Sequence, residues 1–242
     1  MQRGFVVSDL HLLTTRSDGD RHLDTLRSAA ECADFFVLNG DIFDFQWSAL
    51  PDHHASATAA RECLESVVND SPGCHFHVIL GNHDCVPEYR TMLSEMAGRR
   101  SNLEWHESFL RLDRCIFLHG DVAIRTMNAR GFSAHRDHWS RKRRRPGVLH
   151  PCYDLACRVP IASALQRLWF PRRCVTRRIL SFLDSVAPWE LASTEDIYFG
   201  HTHVPFTDYH YRGVRFHNTG SGVKGSRLHM CGVRLGDDRR EH

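Results

Sequence analysis

Four short apolar runs, each closing on aspartate and its small or polar neighbours, constrain this chain more than any other feature. FVVSD (5–9), FFVLNGD (35–41), HVILGNHD (77–84) and CIFLHGD (115–121) have the length and β-branched or aromatic content of buried strands. Helical spacing fills the gaps. Leu23, Leu26, Ala30 and Ala33 follow the first run, and Ala60, Cys63, Leu64, Val67 and Val68 follow the second, ending near SPG at 71–73. After the third, Pro87 suits a first helical turn and Gly98 a helix stop, bracketing EYRTMLSEMA. Strand–helix alternation predicts a layered α/β core. From Asp196 the pattern changes to strands alone: DIYFGHTH, VRFHNTGS and LHMCGVRL.

The 242 residues suffice for one large domain, or for a domain with an insertion, around a substantial core. With 42% hydrophobic and 25% charged residues, wholesale disorder is excluded. No apolar run approaches the ~20 residues of a transmembrane helix. Asp9 and His11 interrupt what would be the apolar core of a signal peptide, which argues against secretion and for a cytoplasmic protein. The nine cysteines include no CxxC pair, and the closest, Cys152 and Cys157, are separated by four residues. This suits free thiols rather than a disulfide framework or zinc knuckle.

The net charge of +2 conceals a strong asymmetry. Residues 125–178 hold 14 Lys+Arg and two acids, Asp137 and Asp154, a local charge of +12; the rest carries 17 basic and 27 acidic groups, or −10. RKRRRP (141–146) is the densest block.

Five motifs end strands: Asp9-Leu10-His11, Gly40-Asp41, Gly81-Asn82-His83-Asp84, His119-Gly120-Asp121 and Gly200-His201-Thr202-His203. The ends of strands in an α/β sheet are where a binding crevice opens. The motifs supply carboxylate, amide and imidazole donors, suited to Mn, Fe or Zn and unlike a soft thiolate site. Singly, each has a plainer explanation, since Gly-Asp is commonly a turn and a His pair commonly lies on an exposed strand face. Five in succession, all at strand ends, are hard to explain that way.

This ordered set, D-x-H, G-D, G-N-H-D, H-G-D and G-H-x-H, resembles the calcineurin-like metallophosphoesterases and spans residues 9 to 203. The resemblance implies an α/β (α+β) four-layer fold: two central mixed β-sheets flanked by helices, with a dinuclear metal centre at their shared edge. It implies one metal on Asp9, His11 and His203, another on Asn82, His119 and His201, and the Asp41 carboxylate bridging them. Two divalent cations ~3.5–4 Å apart need a bridging anion, and together they acidify a shared water into a nucleophile for in-line attack. Mn2+ is the first expectation, with Fe, Zn and Mg suited to the same ligands. His83 would stabilise transition-state charge or donate a proton, with Asp84 fixing its orientation; an alternative role for His83 is only to order its loop. Asp121 would order the loop carrying His119, and the other histidines, including His53, His54, His75, His77, His106, His135, His138 and His150, are read as surface or cap residues.

About 80 residues separate His119 from His201, more than a crossover needs. A single domain over 1–242 with a basic helical cap inserted at 125–185 is the expected organisation. The placement resembles the cap of the UDP-2,3-diacylglucosamine pyrophosphohydrolases of lipid A biosynthesis, as does GDIFDFQW (40–47). The chain departs from that branch at His83, where those enzymes carry Arg, and at VAIRTMNARG after the HGD motif. Within the cap, VPIASALQRLWFPRR and VTRRILSFLDSV combine apolar residues with arginines. They can receive an acyl chain and diphosphate, rest on an anionic inner membrane, or simply pack Leu165, Leu168, Trp169, Ile179 and Leu183 onto the body. The expected function is hydrolysis of a phosphodiester or pyrophosphate, foremost that of a UDP-2,3-diacylglucosamine-like lipid. The alternatives are a general phosphodiesterase or nuclease acting on nucleotides or nucleic acid, through phosphate contacts of the arginine block, and a non-catalytic metal-binding scaffold.

Overall fold

The computed structural model describes residues 1–150 and 168–236. Cys152, Cys157 and the whole of the VPIASALQR stretch, Leu165 included, lie outside the described residues. Strand β1 (Gln2–Val7), helix α1 (Leu23–Glu31), β2 (Phe35–Asn39), α2 (His53–Asp70), β3 (His75–Ile79), α3 (Pro87–Ala97) and β4 (Leu103–His106) follow in order. Strands β5 (Phe109–Leu112) and β6 (Cys115–Leu118) come next, then helices α4 (Ala129–Ser140) and α5 (Arg172–Val186). The chain ends with β7 (Asp196–Phe199), β8 (Phe206–Tyr211), β9 (Val214–Asn218) and β10 (Cys231–Leu235).

The strands form two five-stranded sheets, ordered β10-β1-β2-β3-β4 and β5-β6-β7-β9-β8. The central pairs β1·β2, β2·β3, β3·β4, β6·β7 and β7·β9 are parallel; β10, β5 and β8 join antiparallel. Both sheets are therefore mixed, as expected. All five residues of β2 are buried because both faces of its sheet are covered. Side-chain alternation divides them. Phe36 and Leu38 join Phe76, Val78 and the α1–α3 residues Leu26, Leu64 and Met92 in one core. Phe35 and Val37 turn instead toward Phe117 and Tyr198 of the second sheet. On that sheet's far side Ile116, Leu118, Ile197 and Phe199 meet Phe132 of α4 and Val175, Ile179 and Leu183 of α5. The layers run helix, sheet, sheet, helix, and each fully buried side chain of this size contributes roughly 1.5–3 kcal/mol.

The helices begin largely where the sequence places them. Asp52 caps α2, its carboxylate accepting from Ala55 N at 2.7 Å, and Pro87 opens α3. Strands β4, β5 and β8 have no counterpart among the apolar runs of the sequence; all three lie at sheet edges. The seven described cysteines are free thiols. Among the described residues no helix is long and apolar enough to cross a membrane.

Candidate metal centre

The strand-end motifs of both sheets meet at one edge, where His201 N donates to Asp9 Oδ2 at 2.8 Å, and within each sheet backbone hydrogen bonds continue past the strands. Asp9 N donates to Gly40 O at 3.0 Å, His11 N to Asp41 O at 3.0 Å, and Gly200 N to His119 O at 2.9 Å. This crowding dictates two glycines: a Cβ on Gly81 would stand 2.1 Å from Asp41 Oδ1, and one on Gly200 2.0 Å from Asp9 Oδ2. The donors themselves sit on strained backbone. Asp9, His11, Asp41, His201 and His203 all have φ between 49° and 63°, the left-handed region that side-chain-bearing residues seldom occupy. They make up five of the nine such residues among those described, so the strain is concentrated at this one edge.

Two clusters result. Asp9, His11 and His203 bring one donor atom each within 4.8 Å of one another, as do Asp41, His119 and His201. In the first, His203 Nε2 is 3.2 Å from Asp9 Oδ1 and 3.4 Å from His11 Nε2. In the second, His119 Nε2 is 3.2 Å from both His201 Nδ1 and the Asn82 amide oxygen. Asp41 Oδ2 reaches into both, 3.3 Å from His119 Nε2 and 3.8 Å from His11 Nε2. Its other oxygen accepts from His83 N at 2.7 Å. The structure thus brings together all seven residues expected to ligate.

The residues fit a pair of divalent cations. Asp9 Oδ1 is buried and hydrogen-bonded to nothing, while Oδ2 accepts from Ser8 Oγ and from His201 N. Burial, then the charge of neighbouring Arg16, pushes His11 down to about 4; burial and then His119 push His201 down to about 3. Both imidazoles are neutral at pH 7, with lone pairs free for a metal. For His119, burial opposes the charge, yet the Asp41 and Asp9 carboxylates prevail and raise it to about 10. Without metal, a proton there offsets the surplus negative charge; metal binding would release it. Outer contacts orient the rings: His119 Nδ1 lies 3.3 Å from Asn39 O and His11 Nδ1 3.1 Å from an Asp44 oxygen.

Asp44 corrects one expectation. The His83 ring is held by Asp44, whose Oδ1 is 3.0 Å from His83 Nδ1, not by Asp84. The Asp84 carboxylate is spent on backbone, accepting from Gly81 N at 2.6 Å and Ile42 N at 2.9 Å. Burial and then the Asp41 charge raise Asp84 to about 7. Asp44 also pairs with buried Arg16, so one carboxylate links His11, His83 and an arginine. Burial opposes ionisation of Asp44, but His83 and Arg16 hold it well below the usual carboxylate range; Asp44 in turn outweighs burial to raise His83. The second acid in GDIFD, three residues after Asp41, was the available signal.

The basic region supplies further contacts that its composition hides. Arg136 of α4 is buried and donates to Leu80 O and Gly81 O at 2.8 Å each while pairing with Asp121, 2.7 Å from Nε. The Trp139 ring lies 4.9 Å from His83, and Arg145 N donates to Gln46 O at 2.8 Å. Phe170 approaches His201 at 6.3 Å between ring centres. Ile179 and Leu183 are buried, whereas Leu168 and Trp169 are exposed and do not pack on the body. Two histidines read as surface or cap residues, His77 and His150, are instead buried.

The sequence matches the family model described as calcineurin-like phosphoesterase over residues 5–205. The chain belongs to this family. It is accordingly a metal-dependent phosphoester hydrolase, and the family implies a centre of two divalent cations. A phosphopantetheinyl hydrolase from Mycobacterium tuberculosis shares the fold, with a TM-score of 0.50 and 13% identity over 99% of this chain and 98% of that one. A dimetal phosphatase from Danio rerio is similar at a TM-score of 0.46 and 12% identity, over 98% and 93% of the two chains. No curated protein matches the sequence.

Proposed function

We propose that this phosphoesterase cleaves the pyrophosphate of an amphiphilic, nucleotide-linked lipid of the UDP-2,3-diacylglucosamine type, with a basic cap over 125–185 selecting it. The carrying observation is that the arginine run is tied to the loop of Asp44. Arg145 N donates to Gln46 O, and Arg144 Nε donates to Ser48 O at 3.0 Å. Trp139, beneath the Lys142 ammonium, meanwhile covers His83. Guanidinium groups beside the centre would neutralise phosphate oxygens. The exposed Leu168 and Trp169, next in sequence to Phe170 at His201, offer apolar surface to an acyl chain or an anionic bilayer.

In this reading Asp9, His11 and His203 would hold one cation and Asn82, His119 and His201 the other, with Asp41 available to both. The mixed oxygen and imidazole donors suit Mn2+, and equally Fe or Zn. A cation pair held there would supply Lewis acidity toward phosphoryl oxygens and water. His83 donates a hydrogen bond or proton to the phosphate or leaving oxygen, and Asp44 keeps its ring aimed.

Asp41→Ala should lower metal content at both positions, whereas His203→Ala should mainly weaken one, because only Asp41 reaches both clusters. Elemental analysis after metal loading reads the difference; a wild-type protein that takes up no divalent metal would overturn the assignment. Replacing Arg143, Arg144 and Arg145 with Gln, or Trp169 with Ala, should depress turnover of a UDP-linked diacyl glucosamine selectively. Each methylene no longer buried loses about 0.8 kcal/mol. Hydrolysis of a small p-nitrophenyl diester should change far less. Equal losses would reduce the segment to a structural support, and turnover of single-stranded nucleic acid without the lipid would favour a nuclease. Absence of turnover on every phosphoester would favour a binding scaffold.

A further inference from the structure

A second group of metal-capable side chains lies away from this centre, on the edge pair β3·β4. The parallel register sets His77 opposite Glu104 and Ile79 opposite His106. Strand alternation therefore places His75, His77, Glu104 and His106 on one face of the sheet. His75 and Asn82 lie on opposite sides of β3, whose five residues span roughly 15 Å at ~3.3 Å each.

Three donors converge there. His75 Nε2 is 3.6 Å from one Glu104 oxygen, His77 Nδ1 is 3.6 Å from the other, and the three residues bring one donor each within 4.8 Å of one another. At 3.6 Å neither imidazole hydrogen-bonds the carboxylate. Around a tetrahedral cation with bonds of 2.0–2.1 Å, however, adjacent donors stand about 3.3 Å apart. His75 Nε2 is buried without any hydrogen-bond partner, the condition of an imidazole whose partner is missing. An ordinary ion pair with Glu104 explains His77 poorly. Burial, followed by the repulsion of His75 and His106, lowers His77 to about 3, so it carries no charge to pair with Glu104 at neutral pH. His106 stands next in line, its Nε2 3.4 Å from His77 Nδ1. Glu104 is exposed and leaves a path from solvent.

We propose that His75, His77 and Glu104 form a further metal site, for Zn2+ or a cation of similar softness, that staples β4 to β3 at the sheet edge. Two imidazoles and a carboxylate suit Zn2+ over Mg2+ or Ca2+, which prefer all-oxygen shells. The site does not rest on the reaction proposed above.

The test compares wild-type protein with H75Q/E104Q, each equilibrated with Zn2+, freed of unbound metal and analysed for zinc per chain. The variant should hold one equivalent less than wild type while hydrolysing a p-nitrophenyl diester at an unchanged rate. Because the readout is a difference between two proteins, it stands whatever the occupancy of the Asp41 centre. Equal zinc content in the two proteins would overturn the proposal. Should the double variant not fold, Glu104→Gln alone, at an exposed position, must weaken zinc retention by at least tenfold in a competition with a chelator. Unchanged retention there overturns it as well.

Discussion

His83→Ala is expected to lower turnover by roughly 10²–10³-fold, the usual value of one transition-state hydrogen-bond donor, while both metals stay bound. His83 adjoins Asn82, and its side chain groups with His11 and Asp44 rather than with the clusters that Asp9 and Asp41 complete. Its ring faces Asp44 on one side and Trp139 on another, an arrangement that aims it rather than coordinates it. Asp44→Asn should cost part of the same activity, since the amide cannot stabilise the imidazolium. Whatever Asp44→Asn costs through the His83 ring should vanish in the His83→Ala background, so any further loss in the double variant measures the contacts of Asp44 to His11 and Arg16. Single-turnover rates on fully metal-loaded enzyme, with metal content measured in parallel, check this. A His83→Ala protein that loses metal but keeps normal activity per bound pair would assign His83 to coordination instead.

Arg136→Met is expected to destabilise the protein by roughly 3–5 kcal/mol, since it leaves one member of a buried ion pair uncompensated. Burial raises the Asp121 carboxyl, but Arg136 outweighs it and keeps it ionised inside the protein. The same guanidinium satisfies the carbonyls of Leu80 and Gly81, which lead directly into Asn82 and His83. The loss should therefore reach the site as well as the fold. Arg136→Met/Asp121→Asn should recover part of the stability by removing the stranded charge, without restoring the two carbonyl bonds. Urea unfolding of the three proteins at constant metal loading measures this. A cost below about 1 kcal/mol for Arg136→Met would mean that water replaces the guanidinium.

Much of the framework was legible because it is locally encoded. A buried parallel strand needs a continuous apolar run, and β1, β2, β3, β6 and β7 all carry one. The edge strands β4, β5 and β8 face solvent on one side and carry no such run. Hence β4 with Glu104, β8 with Asp208 and His210, and the short β5 had no comparable signal. The basic charge of 125–178 was visible, but not that one of its arginines is buried. A charge count carries no information on which side chain turns inward.

The candidate site divides along the same line. The sequence by itself determined the donors, their order and their position at strand ends, since each motif is a few adjacent residues following an apolar run. The place of Asp41 between two clusters came from the family resemblance, whereas only the tertiary structure decided that Asp44 rather than Asp84 holds His83 across 39 residues of chain. It alone decided that Arg136 reaches back 55 residues to Gly81, and that His75 and His77 meet Glu104. These contacts are set by strand register and by left-handed turns at Asp9, His11, Asp41, His201 and His203. Local periodicity reports which face a residue takes, not what it meets there, because the partner's position depends on packing between elements distant in sequence.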